Sequence, residues 1–244
     1  MILIHGWGMN NNVWTQTIEQ LSLLTERPIV AIELPGYGDE PNTVNNHTVE
    51  TLSDWLADQI QEPSTIIGWS LGGLVATQLA ITQPEKILNL GLVASSPKFM
   101  ADGNWAGIQP AVLDQFANQL DNEHKAVIER FMAIQAMGSV SAKQDIKRIK
   151  TAVLAKPTPT SDVLKQGLEI LKNADLRQKL HLIQVPVAVL LGRLDALVPI
   201  KMTKQLTEFT QAFDVTELDK ASHAPFISHP EAFNLWCLDL INLT

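Results

Sequence analysis

The sequence predicts an α/β protein in which a doubly wound, mostly parallel sheet carries an inserted all-helical cap. Two observations lead to this prediction. Short apolar runs of strand length alternate with helical patterns near both ends of the 244-residue chain. Between residues 97 and 182 that alternation stops, and only helical patterns remain. A helical segment between two strands of one sheet is typical of a cap over an active site.

The elements before the cap alternate strictly. Strands are predicted at residues 2–4, 28–34, 64–67 and 87–93, and helices at residues 13–25, 48–60 and 73–81. A helix between two strands lets them pair in parallel, because the crossover returns the chain to the same end of the sheet. These segments therefore predict the first part of a doubly wound sheet.

The cap and the rest of the sheet follow. Helices are predicted at residues 110–119, 123–137, 142–154 and 161–173. Strands return at residues 185–192 and 213–218, and Pro230 can open the last helix at its first position. We therefore assign residues 1–97 and 183–244 to an α/β core and residues 98–182 to the cap.

Composition restricts the partners of this protein. The formal net charge of −8 argues against nucleic acid as the main partner. The single cysteine, Cys237, excludes an internal disulfide. The sequence has no secretory signal pattern, and no apolar run approaches about 18 residues. We expect a cytoplasmic monomer that does not associate with a membrane and that needs no metal and no organic cofactor.

One strand-to-helix junction contains the motif G-x-S-x-G, in the run Gly68-Trp69-Ser70-Leu71-Gly72. In a nucleophile elbow this motif turns sharply and exposes the serine hydroxyl above the end of the sheet. Glycine fits on both sides because the turn is strained and a Cβ atom would collide with neighbouring backbone. An ordinary glycine-rich turn is the alternative interpretation. Ser70 is the candidate nucleophile.

A serine hydroxyl needs a general base that is oriented by a third group. In this type of sheet the acid and then the histidine follow the serine, each after a late strand. Asp195 and His223 occupy such loops. His229 is the competing base, but it directly precedes a proline and so fits a helix start. Asp219 is a weaker alternative acid, because it is too close in sequence to His223 to come from a separate strand end.

Backbone N–H groups should bind the oxyanion that forms during acyl transfer. The first donor is expected at the residue after the nucleophile, Leu71. The second is expected in the loop after an early strand, where His5-Gly6 precedes Trp7. We assign the second N–H to Trp7, and we expect His5 to brace the loop by hydrogen bonding.

Several segments together resemble a known family. They are residues 5–8 (His-Gly-Trp-Gly), 68–76, 93–97, 129–131 with 135, 137–138, 167–172, 175–178 and 221–230. On these segments the whole chain resembles the α/β-hydrolases. More narrowly, it resembles the carboxylesterases of biotin synthesis that cleave the methyl ester of pimeloyl-acyl carrier protein. The elbow alone is typical of the superfamily, whereas the cap and C-terminal segments are more specific.

The sequence departs from that family in two places. It begins inside the third strand of the family's fold, so the resemblance implies that the usual antiparallel first and second strands are absent. Without that hairpin, the strand at the edge of the sheet should be left exposed. At Gly38-Asp39-Glu40, relatives commonly carry a small hydroxyl residue.

The resemblance implies a methyl-capped acyl chain on acyl carrier protein as the substrate. The residues expected to bind it are Trp7, Ser70, Leu71, Phe131, Gln135 and His223. Carrier proteins are acidic, so their docking face should be basic. The candidate docking residues are Arg130, Lys143, Lys147 and Lys150. The three lysines are spaced i, i+4, i+7 and so share one face of a helix. A solvated helix face is the alternative.

We therefore predict a serine carboxylesterase that releases methanol from a carrier-bound methyl ester. One alternative is a different α/β-hydrolase: a short-chain carboxylesterase that acts on small esters, a thioesterase, or a carbon–carbon hydrolase. A non-catalytic, ligand-binding member of the fold is the other alternative.

Overall fold

The computed structural model describes residues 1–135, 137, 141–210 and 212–242. Six strands form one sheet in the order β2-β1-β3-β4-β5-β6, and all their pairings are parallel. The strands are β1 (Ile2–Ile4), β2 (Val30–Ile32), β3 (Ser64–Trp69), β4 (Ile87–Val93), β5 (Val187–Gly192) and β6 (Phe213–Leu218). The order reverses direction at β1, as in a doubly wound sheet. The predicted fold class is confirmed.

Helices connect the strands. They are α1 (Thr15–Leu21), α2 (Val49–Gln59), α3 (Leu71–Thr82), α4 (Pro110–Gln135), α5 (Ala142–Val153), α6 (Ser161–Asn173), α7 (Met202–Leu206), α8 (Pro225–Ser228) and α9 (Pro230–Ile241). The cap helices predicted at residues 110–119 and 123–137 correspond to the two parts of α4, which meet at a kink where the backbone of Glu123 is non-helical (φ −139°, ψ 33°). The short α7 and α8 were not predicted.

The middle of the sheet is buried on both faces. β5 is buried throughout, and the helix α3 that follows β3 is buried at nearly every position. Gly91 in β4 has no room for a side chain, because a Cβ there would approach Leu240 and Trp236 of α9 within 2.8 and 2.9 Å. The two strands beside this closely packed one, β3 and β5, are followed at their carboxyl ends by the candidate residues Ser70 and Asp195.

The segment from α4 to α6 lies between β4 and β5 in the chain. Its two connections to the sheet run side by side, since Leu176 N–H donates to Pro97 O (2.9 Å). Lys98 and Arg177, one from each connection, both bind Asp175 and Asp102. Partial burial raises the pKa of Asp175, but the hydrogen bonds and charges of Arg177 and Lys98 together outweigh burial and lower that pKa to about 2. The division into core and cap stays a prediction, which these contacts support.

Candidate active site

Ser70 occupies a strained turn between β3 and α3. Its backbone angles, φ 54° and ψ −117°, lie in a region that L-residues rarely adopt. A Cβ on Gly68 would lie 2.5 Å from the Gly72 carbonyl oxygen, and a Cβ on Gly72 would lie 2.6 Å from the His5 carbonyl oxygen. Only glycine fits at either position. The turn is further held by Ser95, whose Oγ donates to Ser70 O (2.8 Å). The geometry is that of a nucleophile elbow.

His223 and Asp195 meet beside the carboxyl end of the sheet. His223 Nδ1 lies 2.8 Å from Asp195 Oδ2, and both side chains are buried. The other carboxylate oxygen, Oδ1, accepts from the backbone N–H groups of Leu197 (2.8 Å) and Val198 (3.0 Å). An ionised carboxylate only accepts, so the ring hydrogen is assigned to Nδ1, and Nε2 is left as the acceptor.

The backbone of His223 is fixed from two sides. Its carbonyl oxygen accepts from Trp69 Nε1 (2.8 Å), and its N–H donates to Gln135 O (3.0 Å). Nε2 is buried and has no hydrogen-bond partner among the described residues, so it is not bonded to Ser70 Oγ in this structure. Catalytic hydrogen bonds are often loose before substrate binds and tighten in the complex. Nε2 is thus the ring atom that can accept a proton.

The two competing residues lie in other environments. His229 Nδ1 lies 2.8 Å from Ser228 Oγ, and His229 is the residue that caps the start of α9. Asp219 pairs with Arg193 at 3.1 Å, and 81% of its side chain is exposed. Neither side chain forms a hydrogen bond with Ser70. The structure therefore brings together the pair that strand order had predicted, Asp195 and His223.

The loop after β1 lies against the elbow. A Cβ on Gly6 would approach Ser70 Cβ within 3.2 Å. The N–H groups of Trp7 and Leu71 donate no hydrogen bond to any described residue. They are therefore free to bind an oxyanion near Ser70. Their role stays a prediction, because no bound ligand marks the oxyanion position.

His5 braces this loop. Its Nε2 accepts from Leu34 N–H (3.1 Å), so Nδ1 carries the hydrogen and donates to Gly6 O (2.8 Å). That carbonyl belongs to the same peptide plane as the Trp7 N–H. Burial lowers the pKa of His5 to about 4, so the ring is neutral near neutral pH. A charged ring would lose the Leu34 bond, since both nitrogens would then be donors.

The predicted acyl-binding side chains are buried next to the loop. The Phe131 ring meets the Trp7 indole edge-on, with centroids 4.7 Å apart. Gln135 is 1% exposed, and its Oε1 has no hydrogen-bond partner among the described residues. The structure thus places an apolar pair at the loop after β1 and, through the Gln135 backbone, a buried amide side chain next to His223.

The four predicted docking residues differ in their ion pairing. Arg130 binds Glu123, and Lys150 binds Glu129, each at 3.0 Å. Lys143 and Lys147 are exposed, and no ion pair with a described residue is found for either. Of the four predicted docking residues, only these two lysines therefore carry a positive charge that no described acidic residue neutralises.

The described parts of the chain form neither a metal-binding cluster nor a membrane-spanning helix. No group of three or more His, Cys, Asp or Glu side chains is arranged to hold a metal ion. None of the helices in those parts of the chain is long and apolar enough to cross a membrane.

A strained serine at the end of β3 and a buried Asp–His pair on the same sheet edge are the arrangement of a hydrolase of the nucleophile-elbow type. Residues 1–230 match the model of the alpha/beta hydrolase fold family, and the chain belongs to that family.

The chain is also similar to curated proteins over nearly its whole length. It is 46% identical to the pimeloyl-acyl-carrier-protein methyl ester esterase of Photobacterium profundum, over 96% of this chain and 91% of that protein. It is 44% identical to the protein of the same name from Vibrio cholerae, over 99% of this chain and 92% of that protein. Among solved structures, an esterase from Exiguobacterium antarcticum matches with a TM-score of 0.82 over 98% of this chain and 91% of that one, at 19% identity. That likeness concerns the fold alone.

Proposed function

We propose that this protein is a serine carboxylesterase that converts a pimeloyl-acyl carrier protein methyl ester to pimeloyl-acyl carrier protein and methanol, a step of biotin synthesis. The observation that carries the proposal is the buried Asp195–His223 pair, with a free Nε2, beside the strained elbow at Ser70. The relatives that carry this name match at 44–46% identity over nearly the whole chain, which supports the substrate. We expect the enzyme to act in the cytoplasm as a monomer.

The chemistry follows from the geometry. Ser70 Oγ attacks the ester carbonyl carbon while His223 Nε2 takes the hydroxyl proton. Asp195, held by two backbone N–H groups, orients the imidazole and stabilises its charged form. The N–H groups of Leu71 and Trp7 bind the tetrahedral oxyanion. His223 then protonates the departing methoxide, and methanol leaves. Water, deprotonated by His223, releases the acid from the acyl-enzyme.

The acyl chain is expected to lie along Trp7 and Phe131. Their rings supply apolar contact for methylene groups. Gln135 Oε1 is buried there without a partner in the described parts of the chain, and it can accept a hydrogen bond only from an N–H or O–H group, not from the ester oxygens. Leaving a buried amide oxygen unbonded costs free energy, so a ligand donor or an ordered water there is favoured.

The carrier protein is proposed to dock at Lys143 and Lys147. Lys147 also borders a groove of about 520 Å³ between α5 and the core, whose floor includes Val13 and Ile149. Positive charge beside apolar surface suits an acidic helix with an apolar face. Arg130 and Lys150 contribute less to this face, because each is paired within the cap.

Charge reversal tests the docking surface. Changing Lys143→Glu and Lys147→Glu together should raise the KM for the carrier-bound substrate and leave turnover of a small free methyl ester unchanged. The difference should shrink as salt rises, because exposed charges are screened. The matched control reverses two exposed lysines outside the proposed docking surface, Lys179→Glu and Lys204→Glu, with the same change in net charge. An equal rise in KM for both pairs would attribute the effect to net charge and remove the docking surface.

Mass spectrometry separates the candidate reactions. The protein is incubated with methyl-pimeloyl carrier protein, and the carrier is weighed intact. Loss of one CH₂ from the carrier supports the ester hydrolase. Loss of the whole acyl group would indicate a thioesterase. An unchanged carrier, with rapid turnover of small esters, would indicate a short-chain carboxylesterase. An unchanged carrier without any ester turnover would favour a non-catalytic role.

A further inference from the structure

The Trp7 side chain extends away from the elbow into the cap. The residue is fully buried, and its Nε1 donates to the carbonyl oxygen of Leu164 in α6 (2.8 Å). Its ring also packs on Phe131 of α4. One residue therefore joins two regions, since its backbone directly follows Gly6, which lies against Ser70, and its indole contacts the cap helices α4 and α6.

Gly167 is the point of closest approach between α6 and this indole. A Cβ atom there would lie 2.5 Å from Trp7 Cδ1 and 2.9 Å from Nε1. It would also lie 2.8 Å from the hydroxyl oxygen of Tyr37. Carbon atoms in contact are about 3.5–4.0 Å apart, so a methyl group would force a shift of roughly 1 Å. Glycine in the middle of a helix costs stability relative to alanine, so its presence here needs a packing reason.

The helix α6 cannot easily move away to make that room. Its Val163 lies against Gly36, where a Cβ would come within 2.7 Å of the valine Cγ2. Its Gln166 Oε1 accepts from His47 N–H (2.7 Å). Because α6 rests on two further loops of the core, a methyl group at Gly167 should displace the indole before it displaces the helix.

We propose that Gly167 is a positioning residue: by bringing α6 against the Trp7 indole, it sets the position of the Trp7 N–H that stabilises the oxyanion. The inference rests on the proposed hydrolase function. His5 fixes one end of the peptide plane through Gly6 O, and α6 fixes the residue through its side chain. The cap thereby takes part in catalysis without touching the reacting atoms.

The test begins with Gly167→Ala and a small p-nitrophenyl ester. A displacement of about 1 Å at a catalytic donor predicts a fall in kcat of roughly 10- to 100-fold. The KM should change by less than about threefold, because the oxyanion forms only in the transition state. Affinity for an alkyl trifluoromethyl ketone, which forms a tetrahedral adduct with the serine, should fall with kcat. Glu169→Ala, an exposed change on the same helix, is the control and should keep wild-type kinetics.

A double-mutant cycle identifies the indole as the mediator. It is measured in a Tyr37→Phe background, which removes the second neighbour of the new methyl group. Gly167→Ala should still lower kcat in that background. When Trp7→Ala is also present, the same change should alter kcat by less than about twofold, because no indole remains to be displaced. There it should also raise Tm, since alanine is the better helix former.

Each outcome decides the question. An unchanged kcat in Gly167→Ala, with active wild-type enzyme, would overturn this inference alone. So would an equal loss with and without the indole, which would mean general damage to the cap. If the Trp7→Ala variants fail to fold, an unchanged ketone affinity in Gly167→Ala would still refute the proposal. Wild-type protein without ester turnover would overturn the proposed function and this inference with it.

Discussion

Replacing His5 by asparagine should make the stability of this protein less sensitive to acid. The wild-type ring is buried and neutral, with a pKa near 4 compared with 6.5 for an ordinary histidine. Burial is the main cause; the Gly6 hydrogen bond and the charge of Glu33 oppose the shift, and Lys156 adds to it. The folded pKa is lower than the unfolded value, so the unfolded state binds more protons between them. The stabilising contribution is therefore complete above the unfolded pKa and is lost as the pH falls toward 4.

The size of the effect follows from these two values. Between about pH 7.5 and about pH 5, a group with a pKa of 6.5 when unfolded and about 4 when folded removes about 2 kcal/mol from the free energy of unfolding. Urea melts at the two pH values measure it. His5→Asn should be less stable at the higher pH, because the Leu34 and Gly6 bonds are changed, but it should lose about 2 kcal/mol less than wild type on acidification. The exposed His181→Asn is the control and should keep the wild-type dependence. If the free energy of unfolding fell by the same amount in wild type and in His5→Asn, the conclusion that His5 is a buried, neutral histidine would be refuted.

The remaining predictions concern the reacting groups. Ser70→Ala should lower ester hydrolysis by about 10³-fold or more with an unchanged circular dichroism spectrum, and near-normal turnover would end the serine-hydrolase assignment. His223→Ala should be nearly as damaging, because the members of a triad act as a unit. His229→Ala should instead lower Tm and leave kcat close to wild type, since that side chain opens α9 and bonds Ser228. A folded but inactive His229→Ala, together with an active His223→Ala, would reverse the assignment of the base.

Local pattern determined much of the fold. The bounds of β4, β6 and α6 agree with the sequence prediction, because each segment has the length and apolar pattern of its class and Thr160 caps the start of α6. The candidate triad could be predicted for a related reason. In a parallel sheet, residues that follow the strands meet at one edge, so strand order alone brings Asp195 and His223 together. Their catalytic roles stay predictions.

The shortest helices could not be predicted from the sequence. The helices α7 and α8 have five and four residues, too few to show a helical period. By contrast, the kink of α4 at Glu123 falls where the sequence predicted the boundary between two cap helices.

The sequence by itself therefore determined the element order, the nucleophile elbow and the residues available for the triad, since these depend on neighbours within one turn or strand. Tertiary structure alone decided which charges of the cap are neutralised, as in the Lys150–Glu129 pair, and left Lys143 and Lys147 to face solvent. It also decided that the Trp7 indole meets α6 at Gly167. The two residues of such a contact are far apart in the chain, and no local pattern specifies the close approach of a helix to a loop. That distance depends on how every layer between them packs.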